Sequence, residues 1–294
     1  MGETNFSQWK EFDRKFSIVD VRSEIKNILE TKRSECDTLD FYKLALSCID
    51  LTTLNSTDTQ EKGLLFTQKV NEFSSAFPEL SNVAAICVYP KLVRTVRETL
   101  NVDNINLAAV SGCFPSSMTF IEVKCKETEM TVEAGANEID IVIPIGDMIS
   151  GDYASVFEEV KAQKKSCGNA HLKVILESGI LEDPNLIWKA SLLSMYAGAD
   201  FIKTSTGKMD PAATIEASYV MSQAIAYYYQ ETGVKVGFKP AGGIAETHEA
   251  IDFITVVRDI LGDEWMNSSL FRFGASRLAN NLLSSIKGEE IKFF

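Results

Sequence analysis

The chain has 294 residues, 45% of them hydrophobic and 24% charged, enough apolar material for one large globular core. Its 41 acidic against 29 basic residues give a formal net charge of −12, which repels nucleic acid and anionic lipid, and no basic patch intervenes. No run approaches the roughly 18 apolar residues of a membrane span, the polar N-terminus has no apolar signal core, and six cysteines lack any CxxC pair, so a cytoplasmic protein with reduced thiols is expected.

In residues 1–45, Trp9, Phe12, Phe16, Val19 and the run Ile25 to Leu29 recur at helical spacing. They predict one or two amphipathic helices packing on the rest of the chain or on a neighbouring copy, which makes a homodimer one expected state. Residues 46–294 read as alternating short β-rich runs and longer helical ones. Strands are predicted at 46–52, 83–89, 106–111, 138–143, 171–177, 200–206, 235–240 and 271–275, with helices between them, for example 116–135, 183–197, 213–231 and 277–287. Eight such alternations predict parallel βαβ units closed into one α/β domain, a (β/α)8 TIM barrel behind an N-terminal helical extension. A doubly wound open sheet is the alternative, but it calls for a GxGxxG turn after an early strand, and none is present.

Strand parity then places charge where charge is costly. In EIDIVIP, Ile139, Ile141 and Ile143 form one apolar face, so Glu138, Asp140 and Val142 point into the barrel. The same alternation puts Phe201, Lys203 and Ser205 inside, with Gly237 and Lys239, and with Lys173, Ile175 and Glu177. Asp50 and Cys87 also fit inside. Three lysines and two aspartates from five strands share the interior, and an unpaired buried charge costs several kcal/mol. A buried salt-bridge network filling one layer is the structural alternative. Lys203 and Lys239, however, lie late in their strands, near the C-terminal mouth where barrel active sites sit. Two ammonium groups facing one cavity repel, burial adds to the effect, and a lysine left neutral is a nucleophile suited to forming an imine. Lys173 comes early in its strand and is expected deeper, pairing with Asp140.

Three strand ends carry small residues where backbone can approach an anion: Thr204 to Lys208, Ala241 to Gly243 and Gly274 to Ser276. Loops of this kind recur as phosphate sites in barrels, and Lys208 and Arg277 can add positive charge. Each motif alone is equally an ordinary tight turn. TGK is no nucleotide P-loop, because Ile202 replaces the upstream glycine and Met209 the Ser or Thr. With only His171 and His248, and neither HExxH nor GxSxG, a metal-dependent aldolase, a metallohydrolase and a serine hydrolase are all disfavoured.

CIDLTTLN, AAICVYP, EIDIVIP, LKVILESG, DFIKTSTGK, VGFKPAGGI and FRFGAS, in this order between about residues 44 and 286, closely resemble the deoxyribose-phosphate aldolase family. The N-terminal segment is similar to the longer animal form. The resemblance implies a class I aldolase that cleaves 2-deoxy-D-ribose 5-phosphate reversibly to D-glyceraldehyde 3-phosphate and acetaldehyde, without metal or organic cofactor. It implies Lys203 as the Schiff-base residue and Asp140 with Lys239 as the proton relay. It also implies Asp50, Thr52 and Cys87 around the sugar, where Lys173 and Thr206 are expected as further substrate contacts, and Gly207, Lys208, Gly242, Gly243, Gly274 and Ser276 around the phosphate. The sequence departs from the family pattern at Arg277, where a small hydroxyl residue is usual, in MDPAAT, which lacks an asparagine, and at Phe294, in place of the tyrosine some relatives carry. Two other readings stay open: another class I aldolase or transaldolase, and a non-catalytic barrel that binds phosphosugars.

Overall fold

The computed structural model describes residues 12–294, so Trp9 lies outside the described residues. Helices α1 (Ile18–Cys36) and α2 (Leu39–Ser47) lead into β1 (Ile49–Thr52). There follow α3 (Gln60–Ala76), β2 (Ala85–Val88), α4 (Val93–Thr99), β3 (Asn106–Val110), α5 (Ile121–Glu133), β4 (Glu138–Val142), α6 (Ile145–Ser150) and α7 (Tyr153–Ser166). Then come β5 (His171–Ile175), α8 (Ser178–Leu181), α9 (Pro184–Tyr196), β6 (Phe201–Lys203), α10 (Ile215–Thr232), β7 (Gly237–Lys239), α11 (Thr247–Leu261), β8 (Phe273–Ala275) and α12 (Arg277–Lys287). The eight strands are parallel and ordered β7-β6-β5-β4-β3-β2-β1-β8. Parallel bridges Phe238–Phe271 and Ala241–Gly274 join the two ends, with Arg272 N–H donating to the Phe238 carbonyl at 3.0 Å. The fold is the expected (β/α)8 barrel.

Most strands are shorter than the sequence reading at one or both ends, β6 for instance ending at Lys203 rather than 206, and two limits have clear local reasons. Leu44, Ala45 and Leu46 continue the spacing of α2 and bury Ala45 and Leu46, so β1 begins at Ile49 rather than 46. The helix expected from 116 begins only at Ile121, because Ser117 adopts φ +57°, outside the right-handed helical region. Boundary signals hold elsewhere. Thr59, Asp152, Asp183 and Thr214 cap α3, α7, α9 and α10 through their side chains, and Glu246 with Glu249 forms a capping box on α11.

Alternation divides the barrel into two layers. Ile139, Ile141, Leu172, Val174, Ile202, Val236, Phe238, Phe271 and Phe273 face the helices and belong to the main core. Ala85, Cys87, Ala108 and Val110 form a separate apolar lining inside, with Leu54 above them. Helix α1 lies against α10 and α11 and buries Val21, Ile25 and Ile28. Burial of each such side chain contributes about 1.5–3 kcal/mol, against ~0–1 kcal/mol for the exposed Arg22–Glu216 pair beside it. The apolar stripe holds the helix in place.

The segment after α12 turns back onto α3. Phe294 stacks on Phe73 at 5.5 Å, and Phe293 meets Phe77 edge-on at 5.3 Å. The Asn280 side-chain carbonyl accepts the N–H groups of Phe293 (2.9 Å) and Phe294 (3.0 Å). Helix α3 starts at the C-terminal mouth of β1 and runs toward the N-terminal end of β2. Its Phe73 and Phe77 therefore anchor this segment at the closed end of the barrel, away from the mouth.

Candidate active site

Six ionisable side chains from five of the strands, together with Arg272 just before β8, form one connected network inside the barrel. At its upper end Asp140 Oδ2 accepts from Lys203 Nζ at 2.8 Å and from Lys239 Nζ at 2.8 Å. Lys239 Nζ also lies 2.5 Å from Asp50 Oδ2. Below, Lys173 bonds tightly to Glu138 and lies 3.4 Å from both Asp50 Oδ2 and Asp140 Oδ1. Lys173 is thus as deep as expected, but its shortest partner is Glu138 rather than Asp140. The Arg272 guanidinium straddles Asp50 Oδ1 (2.5 Å) and Glu138 Oε1 (2.9 Å). Register explains the convergence: Asp140 pairs with Lys173 across β4–β5, and Lys203 with Lys239 across β6–β7.

These surroundings move the pKa values in different directions. Burial pushes the Lys203 ammonium below the ordinary lysine range; Asp140 opposes the shift and Lys239 reinforces it. Burial acts equally on Lys239, but Asp140 and Asp50 outweigh it and hold that pKa up. Burial tends to raise the Asp140 carboxyl, yet Lys203, Lys239 and Lys173 keep it well below the usual carboxylate range. Cys87, buried in the lining beneath, has its thiol pushed up to about 11 by burial and by Asp140. Of the network's amines, Lys203 therefore gives up its proton most readily. Asp140 Oδ1 accepts no hydrogen bond and keeps a lone pair available beside it.

A cleft of about 220 Å³ opens over Lys203 at the strand C-terminal ends. It brings together Thr52, Lys203, Thr206, Gly207, Lys208, Gly242, Gly243, Gly274, Ser276 and Arg277. Asp140, Lys173, Lys239, Asp50 and Cys87 lie beneath it, fully buried. Gly207, Gly242 and Gly243 have φ of +71°, +85° and +82°, which L residues rarely adopt, and a Cβ on Gly242 would meet Ala212 at 2.8 Å. Lys208 Nζ bonds to the Leu54 carbonyl, tying the β6 loop to the β1 loop. The Thr206 hydroxyl gives its proton to Glu177 at 2.6 Å and accepts Lys208 N–H at 3.0 Å, so it shapes the loop from within.

Parity places Glu138 inside without assigning it a partner, and Arg272 escapes the sequence reading altogether. The signal was present: in FRFGA, Phe271 and Phe273 face the helices, so Arg272 and Gly274 must face inward. All three network carboxylates are engaged by cationic side chains, and no group of three or more His, Cys, Asp or Glu suited to a metal ion occurs among the described residues.

A parallel barrel whose buried ionisable groups converge beneath a cleft at the strand C-terminal ends has the layout of a barrel enzyme. The description of one family, DeoC/LacD family aldolase, matches residues 44–276. The chain belongs to that family and is an aldolase, a lyase of carbon–carbon bonds. A Caenorhabditis elegans protein provisionally assigned as a deoxyribose-phosphate aldolase is 40% identical over 279 residues, covering 94% of this chain and 91% of the relative. In fold, the chain is similar to a structure provisionally assigned the same way from Coccidioides immitis (TM-score 0.70, 24% identity, 92% of this chain and 98% of that one). It is also similar to a tetrameric deoxyribose phosphate aldolase from Aeropyrum pernix (TM-score 0.63, 23% identity, 92% and 98%).

Proposed function

We propose that the chain is a class I aldolase cleaving 2-deoxy-D-ribose 5-phosphate to D-glyceraldehyde 3-phosphate and acetaldehyde through a Schiff base on Lys203. One observation carries the reading: Lys203, 3% exposed, is the network's amine at the floor of the cleft, and it shares its carboxylate oxygen with a second ammonium group.

The neutral Lys203 amine adds to C1 of the open-chain sugar. Asp140 and Lys239 pass protons so that the carbinolamine loses water and leaves an iminium. The iminium draws electrons from the C2–C3 bond, which breaks as the C3 hydroxyl gives up its proton, releasing C3 to C5 as the three-carbon phosphate aldehyde and leaving C1 and C2 on Lys203 as the enamine. The enamine on Lys203 is then protonated at carbon, and water hydrolyses the imine to acetaldehyde and free lysine. Thr52, Cys87, Asp50, Lys173 and Thr206 are assigned to the sugar end, directly or through the groups they hold. Gly207, Lys208, Gly242, Gly243, Gly274 and Ser276 are assigned to the phosphate. Arg277, which lines the same cleft, adds positive charge there. Six free cysteines support a reducing compartment such as the cytoplasm. Helix α1 spends its apolar stripe on its own barrel, so a homodimer needs a different surface.

Borohydride added with 2-deoxyribose 5-phosphate should leave a reduced adduct that peptide mapping places on Lys203. Lys203→Leu should lose both the adduct and at least about 10³-fold in kcat, the scale of losing a covalent nucleophile. An adduct on another residue, or turnover surviving the substitution, would refute the assignment. Faster cleavage of fructose phosphates would favour a different class I aldolase.

A further inference from the structure

Arg272 and Glu138 touch neither the cleft nor Lys203, yet both are anchored in its network. Among the described residues that network holds four cationic side chains, Lys173, Lys203, Lys239 and Arg272, and three carboxylates, Asp50, Glu138 and Asp140. With every group ionised it carries one uncompensated positive charge in a space largely removed from water, so the cation held least firmly is the first to give up its proton. Arginine does not do so in proteins. Lys173 is held by Glu138, with Asp50 and Asp140 at 3.4 Å, and Lys239 by Asp50 and Asp140. Lys203 has Asp140 alone, through the oxygen that Lys239 also uses.

We propose that Arg272 and Glu138 are positioning residues that fix the charge balance of the barrel interior, Arg272 occupying Asp50 and Glu138 so that Lys203 is the amine left without a carboxylate of its own. This inference rests on the Schiff-base reading above. Among the other charged or titratable groups facing Lys203, the one carboxylate, Glu177, is outweighed by the two cations of the mouth, Lys208 and Arg277. Cys87 on β2 keeps its proton, and β3 offers only Ala108 and Val110. Glu177 at the end of β5 bonds to Thr206 and forms no ion pair within 4.0 Å among the described residues. At the mouth, Lys208 and Arg277 are both cations.

The test uses three variants of the full chain and the pH dependence of borohydride trapping with 2-deoxyribose 5-phosphate, alongside kcat/KM. Arg272→Gln removes the excess, so Lys203 keeps its proton and the acid limb moves up by ~1 pH unit. That is the effect of one unit charge on the order of 10 Å away at an effective dielectric near 20. Glu138→Gln adds to the excess and moves the limb down. The double variant restores the original balance, and the limb returns to within about half a unit of the starting chain. Should Arg272→Gln fail to fold, Arg272→Lys (limb unmoved), Glu138→Gln and the double variant still carry the sign. Packing damage has no reason to produce shifts of opposite sign that cancel. Limbs that stay put, or that move the same way in both single variants while the adduct still forms on Lys203, overturn the inference. Absence of any Lys203 adduct in the unaltered chain overturns the Schiff-base reading instead.

Discussion

At the scale of single residues, the barrel interior sets function against stability. Burial and Lys239 lower the Lys203 pKa, so the folded state disfavours a proton that the unfolded chain holds until about pH 10.4. For a group depressed in this way the native state gains stability as pH rises, and at neutral pH Lys203 is a cost. Lys203→Leu, already expected to be inactive, should therefore be more stable at pH 7 by about 1 kcal/mol, roughly 2–4 °C in melting temperature. The gain should shrink as melts are repeated toward pH 10. A less stable variant at pH 7 would show that the amine is comfortably charged. Gly237 illustrates the opposite case, a residue fixed by space. A Cβ there would meet the Phe201 ring at 2.3 Å, so Gly237→Ala should cost about 1–3 kcal/mol in denaturant melts. Parity alone puts Gly237 and Phe201 on the inner face, but that they abut becomes visible only once β6 and β7 pair.

At the scale of elements, the segment after α12 is the clearest departure from what the resemblance brings to mind. Phe293 and Phe294 close an aromatic cluster with Phe73 and Phe77 at the closed end of the barrel. Replacing both with alanine should lower stability by about 2–4 kcal/mol, since large side chains leave a shared cluster. kcat at 25 °C should stay within about twofold, the cluster being remote from the mouth. A large fall in kcat with little change in melting would mean that the segment reaches the cleft in solution. The sequence shows Phe293 and Phe294 but not their destination, because aromatic residues pack against whatever the chain brings near them. The amphipathic α1 was equally legible as a helix and equally silent about its partner, which proves to be α10 and α11.

At the scale of the whole molecule, pH should bound stability on two sides through the same network. Asp140 and Asp50 are held below the carboxylate range against their burial. Their contribution is therefore present above about pH 4 and lost as pH falls through their folded values. Lys239 and Lys173 are held up by their carboxylates, so their contribution is present below about pH 10 and lost as pH rises beyond it. Melting temperature should fall below about pH 5 and above about pH 10, with only the shallow rise due to Lys203 between them. Asp140→Asn should flatten the acid fall, and a curve unchanged by it would exclude this carboxylate from the linkage.

Sequence by itself determined the eight alternating units and the inward face of β4 to β7, both from periodicity, which is a local property of a strand. The resemblance to a family added Asp140 to Lys203 and Lys239 as the group to follow. Only the tertiary structure decided that Lys173 binds Glu138 first, that the Thr206 hydroxyl is spent on Glu177, and that Arg272 gives the ion-pair network four cations to three carboxylates. Parity tells which way a side chain points, whereas partners and charge balance depend on the register that closes all eight strands into one barrel.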